Sequence, residues 1–136
     1  MYAISADPAR LDVPRIHRWL STDAYWALGR PLAKQEAAIA GSLNFGAYEP
    51  DTGEQHAYAR VVTDLATFAW LCDVYVAPAA RGQGLGTTLV TAVRDHLAPY
   101  GIRRIMLATA DAHGLYAKIG FEPLTAPENW MALGTQ

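Results

Sequence analysis

The chain contains one cysteine, Cys72, so it has no internal disulfide and no metal site built from cysteines alone. Long apolar runs are missing as well. Stretches such as Phe68–Cys72 stop at five residues, far short of a bilayer span. The start, Met1-Tyr2-Ala3-Ile4-Ser5, has neither the basic nor the apolar part of a secretory leader. Lys and Arg number 11 against 13 Asp and Glu, a net charge of −2 with no basic cluster, which argues against nucleic acid as the main partner. His17, His56 and His96 have no ligand spacing with Cys72 or the carboxylates, so no metal is expected. These absences together predict a cytoplasmic protein that contacts no membrane.

What is present is enough for a hydrophobic core. Over 136 residues, 51% are apolar and 18% charged, which excludes a disordered chain. No repeat, low-complexity tract or linker interrupts residues 1–136, so one continuous domain is expected. A short strand opens the chain at 1–5. Leu11, Ile16, Trp19 and Leu20 predict an amphipathic helix near 11–21, and the Ala-rich stretch 32–40 before Gly41 predicts a second. Three strands at roughly 42–49, 55–63 and 67–76 form an antiparallel meander turning at Asp51-Thr52-Gly53 and Thr63-Asp64. Leu85, Leu89, Val93 and Leu97 recur every four residues and predict a helix over 84–98. A strand at 103–109 and a helix at 112–119 follow, with Asp111 as its cap and Gly120 as its stop. Strands at 121–124 and 130–133 end the chain. The fold class is therefore α+β, a mixed, mostly antiparallel sheet flanked by helices in the order β-α-α-β-β-β-α-β-α-β-β.

The chemistry concentrates where the third strand of the meander runs into Ala77-Pro78-Ala79-Ala80-Arg81-Gly82-Gln83-Gly84-Leu85-Gly86-Thr87. Alternating glycines let a backbone approach a ligand closely. The first turn of the helix behind them presents unpaired N–H groups at the positive end of its dipole. Together they form a nest for a phosphate or pyrophosphate. Two nucleotide motifs fit poorly. A Walker loop needs Lys-Ser/Thr after its last glycine, where this chain has Thr87-Thr88. The dinucleotide fingerprint lacks its third glycine and the acidic residue about 20 positions on. A nucleotide-binding module stays open as an alternative.

The run Val76-x-Pro78-x-x-Arg81-Gly82-x-Gly84-x-Gly86 resembles the acyl-CoA pyrophosphate loop of the GNAT N-acetyltransferases. Leu115-Tyr116-Ala117-Lys118-Ile119-Gly120-Phe121 resembles a second segment of that family at a plausible distance. The resemblance covers nearly the whole chain and is weakest before residue 42. It implies the family's fold and an acetyl-CoA-dependent transfer to the primary amine of a small molecule or peptide, direct and within a ternary complex. A non-catalytic acyl-CoA binding domain of the same fold is the alternative. Backbone N–H groups of Gly82, Gln83, Gly84, Leu85, Gly86 and Thr87 would hold the pyrophosphate, with Arg81 shaping the loop or touching phosphate. Val74, Tyr75 and Val76 would pair with the pantetheine arm as an added strand, and an N–H near Val74 would polarise the thioester carbonyl. The strand at 103–109 would splay from them to make room. Tyr116 would protonate the departing thiolate. Thr109 stands where many members carry Asn against the pantetheine, and His113 is a candidate contact on the same side. Tyr25 and Trp26 lie where the family builds its acceptor pocket. A homodimer is a further implication, with Trp130 a candidate interface residue.

Asp73 interrupts an apolar strand, where an unpaired carboxylate would be costly. Alternation places it with Leu71 and Tyr75, opposite Cys72, Val74 and Val76. An amine is mostly protonated at neutral pH, so Asp73 is a candidate general base, directly or through water; pairing with an Arg for structure is the other reading. Cys72 reads as a small apolar residue.

Overall fold

The structure, a computed structural model, describes residues 1–134. In chain order its elements are β1 (Ala3–Ser5), α1 (Val13–Asp23), α2 (Leu32–Ala40), β2 (Leu43–Tyr48), β3 (Gln55–Thr63), β4 (Ala69–Val76), α3 (Leu85–Leu97), β5 (Ile105–Met106) and α4 (His113–Ile119), joined by short 3-10 turns. The five strands form one sheet in sequence order. The first four pair antiparallel, and β5 lies parallel to β4. The mixed, mostly antiparallel sheet read from the sequence is therefore the one observed.

Local chemistry accounts for the boundaries. The Asp12 carboxylate accepts the Arg15 N–H at 3.1 Å and Pro14 occupies the first turn, which starts α1 later than the apolar pattern alone suggests. Gly53 takes a φ of +74° in the hairpin between β2 and β3, where its N–H reaches the Glu49 carbonyl at 2.7 Å. The Asp64 carboxylate collects the N–H groups of Ala66 and Thr67 at 2.9 and 2.7 Å and so turns β3 into β4.

The sheet buries a core on each face. Phe45, Val61, Leu71, Leu89, Val93 and Leu97 pack between the sheet and α3, joined by Ile119 of α4. Ile16 and Leu20 of α1 cover Tyr58 and Tyr75 on the other face. Buried alanines at 47, 57 and 59 on the α3 face leave room for that helix to approach.

Three sequence expectations need correction. The strand expected at 103–109 is confined to Ile105–Met106. The strands expected at 121–124 and 130–133 do not form. Pro123 removes a ladder donor, Pro127 begins a 3-10 turn, and the Trp130 ring packs under the Arg104 guanidinium at 5.1 Å. The start of α4 is not capped by Asp111; the Thr109 hydroxyl accepts the Ala112 N–H at 3.0 Å instead.

Candidate active site

The site begins with a fault in the β3–β4 ladder. Arg60 pairs with Cys72 and Tyr58 with Tyr75, so Asp73 and Val74 together oppose Ala59 alone. This is a β-bulge, and Asp73 takes a φ of +53° to make it, a left-handed conformation that is costly for a residue with a Cβ. The extra residue reverses the alternation. Leu71 belongs to the core under α3, whereas Tyr75 belongs to the core under α1 and Val74 and Val76 have moved to the α3 side. The expectation that Leu71, Asp73 and Tyr75 share one face, opposite Cys72, is thus overturned. Cys72 stands opposite Arg60, and Asp73 bonds that same Arg60.

The bulge puts the Asp73 carboxylate in a cage of donors. One oxygen accepts the Trp26 indole N–H at 2.9 Å and an Arg30 N–H at 3.3 Å. The other accepts Arg30 and Arg60, each at 2.8 Å. The side chain is 1% exposed. Burial alone would push its pKa up, but the hydrogen bonds from Arg30 and Arg60 outweigh it and hold the carboxyl below the usual 3.8. With its acceptor positions occupied and its charge pinned, Asp73 is poorly placed to take a proton. Arg30 and Arg60 escaped the sequence reading. Arg60 carried one usable signal, a charge between the apolar Ala59 and Val61, both buried.

Before it reaches the bulge, β4 loses its parallel neighbour. The β4–β5 ladder contains only Ala69–Ile105 and Trp70–Met106. Residues 71–76 therefore have no strand partner on that edge, and a cavity of about 570 Å³ opens there. Leu107, Ala108, Thr109 and Tyr116 line it together with Tyr25, Trp26, Arg30 and Arg60. The α1–α2 loop is tied over it, since Trp26 holds Asp73 and the Tyr25 hydroxyl accepts the Ala110 N–H at 2.9 Å. The two rings of Tyr25 and Trp26 meet edge to face with centroids 4.9 Å apart.

The glycine loop lies past the end of β4. Gly82 and Gly84 have φ of +78° and +76°, the left-handed turns that only glycine makes freely. Gly86 has a different reason to lack a side chain: a Cβ there would sit 3.1 Å from Leu115 Cδ1, so the glycine lets α3 and α4 approach. No side chain caps α3, and no acidic residue stands in its first turn. The amides of residues 85–87 are thus unopposed by negative charge at the positive helix end. Arg81 shapes this loop. Its Nε donates to the Val76 carbonyl at 2.9 Å, and Nη2 reaches Asp23 at 3.2 Å. Asp23 also accepts the Tyr75 hydroxyl at 2.6 Å, and these two bonds hold its carboxyl below the usual range. Gly84→Ala should cost about 1–2 kcal/mol of stability, the penalty of a left-handed non-glycine residue. Urea denaturation measures it, and an unchanged midpoint would contradict the loop geometry.

Tyr116 enters the cavity from α4, its ring held edge-on by Phe121 at 5.8 Å. Burial, with small additions from Tyr25 and Asp111, pushes the phenol up to about 12, so it stays protonated. Thr109 lines the cavity with its hydroxyl turned back onto the start of α4. His113 is exposed and lies instead along a second cavity of about 880 Å³ beside β5. Burial raises the Cys72 thiol to about 11, which keeps it a weak nucleophile. Among the described residues no cluster of His, Cys, Asp and Glu could hold a metal ion, and no helix is long and apolar enough to cross a membrane.

Comparison with known proteins gives this geometry a context. Residues 7–121 match the model of the acetyltransferase (GNAT) family. A protein of Gibberella zeae named "Putative acetyltransferase" is 32% identical over 135 residues, covering 86% of this chain and 76% of its own. The thialysine N-epsilon-acetyltransferase of Mus musculus is 36% identical over 67 residues, 46% of this chain and 39% of its own. The crystal structure of a protein belonging to the GNAT family from Xanthomonas campestris pv. campestris superimposes with a TM-score of 0.93 at 46% identity, covering 99% of this chain and 94% of that one.

Proposed function

Because the chain belongs to the GNAT acetyltransferase family, we propose that it moves an acetyl group from acetyl-CoA directly to a primary amine of a small molecule or peptide, within a ternary complex. One observation carries this reading: the free edge of β4 leads straight into an uncapped helix start. A ligand with an extended arm and a pyrophosphate needs that combination, an unpaired strand edge for the arm and clustered amides for the anion.

The residues present fit acetyl-CoA, which supplies an activated acyl group as a thioester. The amides from Gly82 to Thr87 would receive the pyrophosphate. Arg81, engaged with Val76 and Asp23, holds the loop in shape and need not touch phosphate. Val74, Tyr75 and Val76 would pair their backbone with the pantetheine arm, and the Val74 N–H, displaced by the bulge, would stabilise charge on the thioester oxygen. The amine nitrogen bonds to the carbonyl carbon, the carbon–sulfur bond breaks, and Tyr116 gives its proton to the departing sulfur. The amine loses its own proton to water, and solvent returns one to Tyr116, so the phenol is restored for the next turnover. Asp73 acts as a positioning residue, fixing Trp26, Arg30 and Arg60 around the acceptor side.

Thiol release from acetyl-CoA across a panel of amines tests the reading. Release that depends on the amine, with the N-acetylated product identified by mass, is the expected result. Tight CoA binding with release no faster than hydrolysis would turn the reading to a binding domain without catalysis. Stabilisation by ATP or NAD but not by CoA would remove it altogether.

A further inference from the structure

The acceptor side of the cavity holds two guanidiniums against one carboxylate, and they are not equally hidden. The Asp73 side chain is 1% exposed, whereas those of Arg30 and Arg60 are 16% and 14% exposed. A ligand entering there meets the cations while the anion that pairs with them is sealed behind. Donors also remain. Arg30 spends both Nη1 protons on Gln35 and Asp73 and one Nη2 proton on Asp73, which leaves Nε–H and the second Nη2–H. Arg60 spends Nε–H on Asp73 and one Nη1 proton on Ser42, which leaves the second Nη1–H and both protons of Nη2. Among the described residues the Arg30 Nε and Arg60 Nη2 atoms have no protein partner at all, yet neither is sealed from solvent. The other charged groups on the cavity wall do not cancel the surplus at this spot. Asp23 and Arg81 pair with each other, and among the described residues Asp111 makes no ion pair with Arg30 or Arg60, both of which pair with Asp73.

A single arginine would have neutralised Asp73. A second, mostly desolvated guanidinium is costly unless something else uses its charge. We infer that the acceptor is a small primary amine that also carries an anionic group, a carboxylate or a phosphate, received by the free N–H groups of Arg30 and Arg60. Guanidinium donors match the planar carboxylate and the phosphate oxygens alike. The same surplus charge disfavours polyamines and other acceptors that carry only positive charge. The Trp26 ring, bonded to the same Asp73 carboxylate as the two arginines, also lines the cavity and offers an apolar surface for the rest of the molecule.

The inference rests on the reading of this cavity as an acetyl-acceptor site, and product binding tests it apart from turnover. Calorimetry on the CoA-loaded protein would compare an N-acetyl amino acid with its primary amide, and N-acetylglucosamine 6-phosphate with N-acetylglucosamine. The anionic member of at least one pair should bind about 30-fold tighter or more, the usual loss when one partner of a desolvated charge pair is removed. Whichever pair shows the difference identifies carboxylate or phosphate. Arg60→Lys, which keeps the charge against Asp73 but loses the fork, should shrink the preference while KM for acetyl-CoA stays unchanged. Equal affinity within both pairs, or no binding by any of the four, overturns the inference. Amine-dependent acetylation without preference for an anionic acceptor overturns it too and leaves the acetyltransferase reading intact. Absence of any amine-dependent thiol release removes that reading, while the binding comparison still decides this one.

Discussion

Tyr116→Phe is expected to lower kcat for acetyl transfer by roughly 10²–10⁴, the usual contribution of a general acid, while KM for acetyl-CoA and the thermal midpoint stay close to those of the parent protein. The asymmetry follows from what the substitution removes. The ring makes the packing contacts, edge-on to Phe121 and against the core under α3, and phenylalanine keeps them. Tyr116 lines the cavity and no protein hydrogen bond contributes to the pKa of its hydroxyl, so loss of that group strands no buried partner. Only a step that needs the proton should suffer. Burial pushes the phenol up to about 12, so its protonated form persists throughout the usable pH range. The pH profile of the parent should therefore show no alkaline limb attributable to Tyr116 near 10, the value of a free phenol. Its acid limb should track deprotonation of the amine. Steady-state kinetics with a poor leaving thiol would magnify the difference; a Phe variant with more than a tenth of parental kcat would remove Tyr116 as the acid.

Local patterns reached most of the fold. The helix over 32–40 and the strand over 55–63 coincide with α2 and β3, because composition, turn residues and periodicity all act within a few positions there. The glycine loop was legible for the same reason: left-handed turns at Gly82 and Gly84 and an uncapped helix start are local facts. What escaped depends on partners far away in sequence. Strict alternation along 69–76 assumes an unbroken ladder, and nothing within β4 announces that Asp73 and Val74 must share one partner on β3. The cage around Asp73 draws Arg30 from 43 positions away and Arg60 from 13, so the carboxylate's role depended on contacts no motif encodes. At the other end, the aromatic and aliphatic residues of 121–133 have strand propensity, but propensity describes fit to a half-buried surface. With β5 reduced to two residues and Pro123 in the way, that surface is not offered within this chain.

Replacing Asp73 separates a positioning role from catalysis by the carboxylate. Asp73→Asn should lower the free energy of unfolding by about 3–5 kcal/mol, the cost of leaving buried charges without their partner, out of a total that is typically about 5–15 kcal/mol. The amide has the same shape but turns an NH₂ group toward donors, so at most one of its two heads can still accept from Trp26, Arg30 and Arg60. The pH dependence carries the sign. The folded carboxyl titrates below its usual 3.8, so its contribution is fully present above the unfolded value and is lost as pH falls through the folded one. Denaturation curves of parent and variant should therefore lie far apart at neutral pH, begin to approach below about pH 4 and converge only once pH has fallen below the folded value. A general base would behave otherwise: its removal would collapse kcat with stability intact, and the loss would be partly relieved at high pH, where the amine deprotonates unaided. If the variant is as stable as the parent and merely slow, Asp73 is the base and the two arginines are its servants. If it is unstable, and folded protein recovered at low temperature turns over with a raised acceptor KM and a kcat near the parental value, the carboxylate exists to hold two cations in place for the acceptor.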